Sequence, residues 1–341
     1  MVSIIKRAGF KKRCIRAASL MLFFVFLFSA ASCVSADISH EAYQTFAAVI
    51  EDNIAQLIPT PVPQEGEFHV SEDTSVQEIG SKQDLFFVLQ KSLYEFEPET
   101  YIQIENYDLF TQYWSALAQD GALHSTYESR EVQIEYDDKS PCTMRLIFNY
   151  NAAGQILDKN LNNEEMVFDD SSVTLLYNKS VSILEQITTE DMTEVQRETA
   201  IHDYIVTHTE YSVTGNPDVL ASASSVLIDG KGQCQGYSEA MGLLLGLSGI
   251  TSRVVSGVAY GTDGVAVAHA WNQVLINNVW YHVDVTWDDP IPDTGDYATQ
   301  LYLNRSDEFL KKDHKWSDLF QVCPVDWPTT GADVAVEITA S

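Results

Sequence analysis

Along the chain, apolar residues fall first into helical and alternating stretches that mark out a compact leading half. Ala42, Tyr43, Phe46, Ala47, Ile50 and Ile54 recur at steps close to the helical repeat, which predicts a helix over residues 37–58. Residues 59–74, with Pro59, Pro61 and Pro63 among several acids, read as a linker or surface loop, and Ser81 then opens a second helix rich in Leu and Phe. Val132, Ile134 and Tyr136 alternate with polar residues, as do Met144, Leu146, Phe148 and Tyr150. A period of two predicts a pair of adjacent strands. Residues 37–187 are therefore expected to form a small α+β module, and no cluster of ionisable side chains in it has an assignable chemistry.

Near Thr189 the pattern changes. Thr193-Glu194-Val195-Gln196 has the spacing of a capping box, followed by the apolar stripe Val195, Ile201, Tyr204 and Ile205, so a helix leads into a second domain, residues 188–328. A short tail, residues 329–341, follows. Within the second domain a glycine-rich loop, Gly230-Lys231-Gly232-Gln233, runs into a helix carrying Tyr237, Ala240, Met241, Leu244 and Leu245 on its apolar positions. Further on, residues 265–276 and 279–288 read as two strands joined by Asn277-Asn278, a two-residue hairpin turn in which both residues take positive φ. No internal repeat or low-complexity tract interrupts the chain.

The first 36 residues stand apart. Lys6, Arg7, Lys11, Lys12, Arg13 and Arg16 precede the apolar run 17–31, no acid occurs, and Val34-Ser35-Ala36 has the small-residue pattern of a cleavage site. Residues 1–36 are thus expected to be a signal peptide of a secreted or cell-surface protein. The rival is lipid attachment at Cys33, the one route by which a membrane would be a partner. The leader carries six of the 20 Lys and Arg, so removing it moves the net charge from −29 to −35. Such acidity argues against nucleic acid and anionic surfaces, keeps an exported protein soluble, and suits a basic or amine-bearing partner. Cys14 and Cys33 fall in the leader, leaving Cys142, Cys234 and Cys323. In an oxidising compartment Cys142 and Cys323 would be free to pair, although sequence sets no connectivity.

Cys234 is expected at the N-terminus of the Tyr237 helix, where unpaired N–H groups and the helix dipole favour a thiolate and would bind the oxyanion of a tetrahedral intermediate. Glycines on both sides would open space around the sulfur. If Ile276 pairs with Val279, Trp271 stands opposite Asp284, and His269 opposite Thr286. His269 and Asp284 then share one face as diagonal neighbours, and a one-residue slip would separate them. A carboxylate beside an imidazole fixes its tautomer and leaves the other ring nitrogen for a thiol. Cys234, His269 and Asp284 are therefore the candidate catalytic residues. Gln233, Gln235, Trp271 and Asn272 are candidates for substrate or oxyanion contacts, and Trp271, Trp280 and Trp287 are expected in core or pocket wall. His282, two residues from Asp284, is expected to be structural. His202, His208 and His314 carry no signal beyond packing or exposure. A metal reading through His269, His282 and Asp284 lacks a familiar ligand spacing, and there is no C-x-x-C pair, so no metal or cofactor is expected.

Three separated blocks, Gly232-Gln233-Cys234-Gln235-Gly236-Tyr237, His269-Ala270-Trp271-Asn272 and the run from Trp280 to Asp289, resemble the bacterial transglutaminase-like superfamily in type and order. So do Tyr302-Leu303-Asn304-Arg305-Ser306-Asp307-Glu308-Phe309 and His314-Lys315-Trp316 near the end. The leading half more loosely resembles the variable region that precedes this domain in exported members. The resemblance implies a papain-like α+β fold, a helix bearing the nucleophile packed on an antiparallel sheet. It also implies Cys234 as nucleophile, His269 as base and Asp284 as orienting carboxylate, with no calcium-loop signature and hence no metal. The expected activity is cysteine-dependent acyl transfer on amide or peptide carbonyls through a thioester, with a protein or peptide substrate, a cell-wall peptide included. Peptidase, amidase and cross-linking outcomes stay open, and the opposing class is a catalytically silent binding or scaffold protein at the cell surface.

Overall fold

The computed structural model describes residues 70, 74–122, 132–137, 139–261, 264–289 and 297–327. The expected leader, the 37–58 helix, most of the 59–74 linker and the C-terminal tail lie outside these residues.

The leading half contains a four-stranded sheet, ordered β1 (Val76–Glu78), β2 (Glu99–Ile104), β4 (Cys142–Ile147), β3 (Gln133–Tyr136). Two helices accompany it, α1 (Lys82–Tyr94) and α2 (Tyr107–Gln119). Side chains decide the helix starts: the Ser81 hydroxyl accepts from the Asp84 N–H, and Asn106 Oδ1 accepts from the Leu109 N–H at 2.9 Å. The two strands expected from alternation, β3 and β4, pair antiparallel. Ile102 and Ile104 of β2 lie opposite Met144 and Cys142 of β4, all buried, because residues of one parity share a face. Arg145, of the other parity, spans Glu99 and Glu135, donating to the latter at 3.1 Å.

Three longer helices follow, α3 (Ala152–Leu161), α4 (Ser171–Ile187) and α5 (Glu194–His208). The capping box at Thr193 and Gln196 forms in both directions, at 3.3 and 2.8 Å. The chain then passes through β5 (Glu210–Tyr211), α6 (Pro217–Leu220), α7 (Ala223–Asp229) and β6 (Lys231–Gly232) into α8 (Cys234–Leu247). Residues 236–245 of α8 are all buried. A helix with no polar face must be covered all round, and α3, α4, α5, α7 and a second sheet cover it.

That sheet, ordered β10 (His314–Trp316), β7 (Ser252–Tyr260), β8 (Ala266–Ile276), β9 (Val279–Val283), is antiparallel throughout. Asn277 and Asn278 have φ of 49° and 63°, and the hairpin register runs from Ile276↔Val279 to Asn272↔Val283, as the sequence predicts. The strand ends earlier than expected. Beyond Val283 the chain turns into a single helical turn, α9 (Val285–Asp288), because the Asp284 side chain caps it by accepting from the Trp287 N–H. A last short helix, α10 (Asp307–Leu310), precedes β10.

Two apolar clusters result. One joins α8 to Ile156, Leu176, Ile201 and Ile205 of the helices and to Val274, Ile276 and Val283 of the sheet. The other joins the leading module, through Leu85, Ile102, Phe110 and Met144, to Val255, Trp271, Tyr302 and Leu310. Hydrogen bonds also cross between module and sheet, from Tyr94 Oη to the Val254 carbonyl and from Ser256 Oγ to that of Gly121. Cys142 and Cys323, whose pairing the sequence leaves open, are not bridged. Both cysteines are free and buried: Cys142 Sγ donates to the Asp137 carbonyl, and Cys323 Sγ accepts from Gln273 Nε2.

Candidate active site

Cys234 is the first residue of α8, half-buried, and Gln233 is its N-cap with extended backbone and no side-chain capping bond. The first N–H groups of the helix are thereby left without a side-chain acceptor from the cap. The neighbouring glycine contributes close packing rather than the open space expected around the sulfur. A Cβ at Gly236 would lie 2.5 Å from the Leu220 carbonyl oxygen and 3.0 Å from that of Ser222, so the first turn presses directly on the α6–α7 connection.

His269 projects from β8 beside Trp271, its ring 5.9 Å from the indole. Its Nε2 lies 2.6 Å from Asp284 Oδ2, in surroundings that leave 4% of the His269 side chain and none of Asp284 exposed. With Nε2 committed, Nδ1 is the ring nitrogen left for Cys234, which is close enough to hydrogen-bond and to act on the ring by its charge. Burial pulls the imidazole pKa down, but the Asp284 charge and hydrogen bond, reinforced by Cys234, carry it up to about 10. At Asp284 burial pushes the carboxyl up, yet the His269 charge and the hydrogen bonds from His269 and His314 hold it well below the usual carboxylate range. Both shifts favour the form in which a carboxylate faces an imidazolium.

The remaining candidates separate. Trp271 donates its one N–H to His282 Nδ1 at 2.9 Å and so has none to offer a substrate, while Asn272, 1% exposed, donates from Nδ2 to the Ser238 carbonyl at 3.1 Å and leaves its Oδ1 without a partner. Gln235 Nε2 donates to Glu239 Oε1 at 3.3 Å. Gln233 Nε2 differs: it is buried and makes no hydrogen bond within the protein. His282 is held between Trp271 and Asp307, away from His269, which fits a structural residue.

Two groups gather three ligand-type atoms within 4.8 Å of one another: His269, Asp284 and His314, and His282, Asp307 and Cys323. Because indole N–H is only a donor, His282 Nδ1 accepts from Trp271, so Nε2 carries the proton given to Asp307. In the first group both histidines turn Nε2 to the same carboxylate oxygen. A surface depression of about 740 Å³, lined by Tyr177, Leu184, Glu185, Arg197 and Ser248 among others, shares no residue with this site.

Two neighbours were not legible beforehand. His314 Nε2 reaches Asp284 Oδ2 at 3.1 Å from the far strand of the sheet. Tyr211, paired with Gly232 across β5 and β6, has its phenol pKa pushed up by burial and by the charges of Cys234 and Asp284. No local spacing announces either, since each arrives by strand pairing.

Residues 181–285, which include Cys234, His269 and Asp284, match the family model described as the transglutaminase-like superfamily. This part of the chain is a transglutaminase-like domain. The α+β architecture, with the Cys234 helix packed on an antiparallel sheet, is the expected papain-like arrangement. Among solved structures, the chain is similar to a TGase, at 14% identity over 63% of this chain and 60% of that one, with a TM-score of 0.28. It is also similar to a candidate cysteine protease of Cytophaga hutchinsonii, at 18% identity over 48% and 64%, TM-score 0.28. A third is the periplasmic domain of TgpA from Pseudomonas aeruginosa, at 17% identity over 44% and 59%, TM-score 0.26. The chain thus spans about three-fifths of the length of the first solved structures it matches. Among curated proteins none matches. The transglutaminase-like match ends at residue 285, before His314.

Proposed function

We propose that this chain is an exported cysteine-dependent acyl-transfer enzyme acting on amide or peptide carbonyls, with Cys234 as nucleophile, His269 as proton carrier and Asp284 as the orienting carboxylate. The observation that carries the reading is the 2.6 Å contact from His269 Nε2 to Asp284, which leaves Nδ1 as the uncommitted ring nitrogen of an imidazole within the influence of Cys234, at the head of a buried helix. The Cys234 sulfur attacks the carbonyl carbon, forming the C–S bond as the π electrons move to oxygen. The first N–H groups of α8 and the unbonded Gln233 Nε2 supply donors for that oxyanion. The imidazolium then gives its Nδ1 proton to the departing amine as the C–N bond breaks, leaving a thioester. Water or a primary amine attacks next, His269 takes its proton, and the carbonyl re-forms with release of sulfur. Water makes the protein a hydrolase; an amine makes it a cross-linking enzyme.

Export rests on the basic and apolar leader, residues 1–36, and the acidic remainder supports a protein or peptide partner over nucleic acid. The test is mass spectrometry of a glutamine-containing peptide library incubated with the protein, with and without a small primary amine, against Cys234→Ala. Cys234-dependent amine addition identifies a transglutaminase, and cleavage or deamidation a hydrolase. Peptides left unchanged under every condition refute the proposal.

A further inference from the structure

The geometry points to His314 as a positioning residue of the Cys234 site, a second imidazole that meets the same Asp284 oxygen as His269 and keeps the carboxylate aligned with it. This inference rests on the acyl-transfer reading and deepens it.

Three contacts hold the Asp284 carboxylate. Oδ1 accepts the Trp287 N–H at 3.1 Å, and Oδ2 faces both His269 Nε2 at 2.6 Å and His314 Nε2 at 3.1 Å. His314 is itself fixed, since its Nδ1 lies 2.6 Å from Asp313 Oδ1, and Asp313 Oδ2 accepts from Tyr302 Oη at 2.7 Å. The side chain is wholly buried. Trp287 lies 4.5 Å, Trp271 5.0 Å and Tyr302 5.7 Å from the ring, an aromatic enclosure that leaves the imidazole little room to turn. A continuous line of polar groups therefore runs from Tyr302 through Asp313, His314 and Asp284 to His269 and Cys234.

The placement does not follow from a structural need of the strand. β10 has three residues, and its pairing with β7 uses backbone groups that any side chain would supply. What the imidazole adds is a rigid donor at the one carboxylate that orients the base. The charged and titratable groups facing this line are Asp284 on α9, His269 on β8, His282 on β9, Asp313 and Tyr302 beside β10, and Tyr211 on β5 with Cys234 on α8.

The experiment follows the pH dependence of Cys234 alkylation by iodoacetamide, which needs no substrate. In the unaltered protein Cys234 should react faster than Cys142 and Cys323 below pH 7; equal rates would refute the acyl-transfer reading itself, whatever His314 does. Given that reactivity, His314→Ala should slow alkylation about tenfold at pH 6 and move the alkaline limb of the profile to lower pH by about one unit, because a carboxylate free to turn supports the imidazolium less. His314→Gln, whose amide keeps an N–H near the Nε2 position, should restore most of both. An alkaline limb that stays put or moves upward in His314→Ala with near-ultraviolet circular dichroism unchanged, or no rescue by Gln, overturns the inference. If neither variant folds, histidine nitrogen resonances of the unaltered protein decide. Methylthiolation of Cys234 should shift His269 and His314 together, and a His314 signal indifferent to it overturns the positioning role.

Discussion

Replacing Gly236 by alanine tests whether the helix that begins at Cys234 is set by backbone contact. In an exposed helix this change stabilises by about 1 kcal/mol, since alanine has the higher helix propensity. Here the added methyl would sit 2.5 Å from the Leu220 carbonyl oxygen, against a closest tolerable approach near 3.0 Å, with Ser222 O and N at 3.0 and 3.2 Å blocking escape. All three are backbone atoms, so the first turn of α8 must back away by at least about 0.5 Å, two residues from the sulfur. Overpacking of this kind costs about 1–3 kcal/mol. The Leu220 oxygen also accepts the Gln233 N–H at 2.9 Å, and loosening that bond adds roughly 1 kcal/mol. The propensity gain offsets about one of these, leaving a net loss of about 1–3 kcal/mol, or a fall in Tm of roughly 2–10 °C. Displacing a reacting atom by a fraction of an ångström should also slow Cys234 alkylation by about 10–100-fold. Gly246→Ala in the same helix is the control, because its methyl would meet only Leu157 Cδ2, the end of a flexible side chain, and should be near neutral. Thermal unfolding and alkylation rates measured on both decide the matter. A Gly236→Ala protein as stable as, or more stable than, the parent refutes the contact argument.

Asp284→Asn should keep the fold but cut Cys234-dependent turnover by about 10³–10⁴-fold, since an amide carries no charge and must turn its NH2 either to the two histidines or to the Trp287 N–H, where no acceptor would remain; a loss under tenfold in steady-state rates would contradict the proposed role. Thermal stability should decline from pH 7 to pH 10. Burial alone would lower His202, but hydrogen bonds and charge from Asp203 and Asp288 raise it to about 9, as His269 is raised to about 10. Groups raised in the folded state stabilise it fully below their unfolded value near 6.5 and lose that contribution as pH climbs through the folded value, so a Tm flat across this range would count against both pairs. Cys323, whose thiol is pushed up by burial and the Asp307 charge, should resist disulfide reagents until the protein unfolds, as should buried Cys142; native labelling at either, followed by peptide mapping, would contradict their placement. Trp271→Phe should destabilise by about 1–3 kcal/mol in chemical denaturation, because His282 Nδ1 loses its donor while staying buried; a neutral result would show the bond is not needed.

What could be read from the chain was whatever depends on neighbours in sequence. The capping box at Thr193, the Ser81 cap, the helix starting at Cys234 and the Asn277-Asn278 turn are local, and the turn fixed the register that brings His269 and Asp284 to one side. The strand past Val283 was misread because a capping aspartate looks no different in an alternating run until its carboxylate finds the Trp287 N–H. The packing role of Gly236 was invisible for the same kind of reason: its contact lies in the Leu220 turn. His314 illustrates the limit most clearly. It lies 30 residues beyond Asp284, and only the docking of β10 on β7 makes them neighbours.

Cys234 and His269 draw on different apolar clusters, although the strand that carries His269 also lends Val274 and Ile276 to the first. Cys234 belongs to a helix sealed in the first apolar cluster, whereas His269 stands beside Trp271 and Trp287 in the second, the one lined by the leading module. The sulfur-to-imidazole gap is therefore a gauge of how two bodies are clamped, and it registers slackness in either before any helix melts. Mild denaturant should silence the thiol's special reactivity while far-ultraviolet circular dichroism is still native. By the same token, loosening the leading module, which lines the second cluster, should be felt first at the Cys234 thiol.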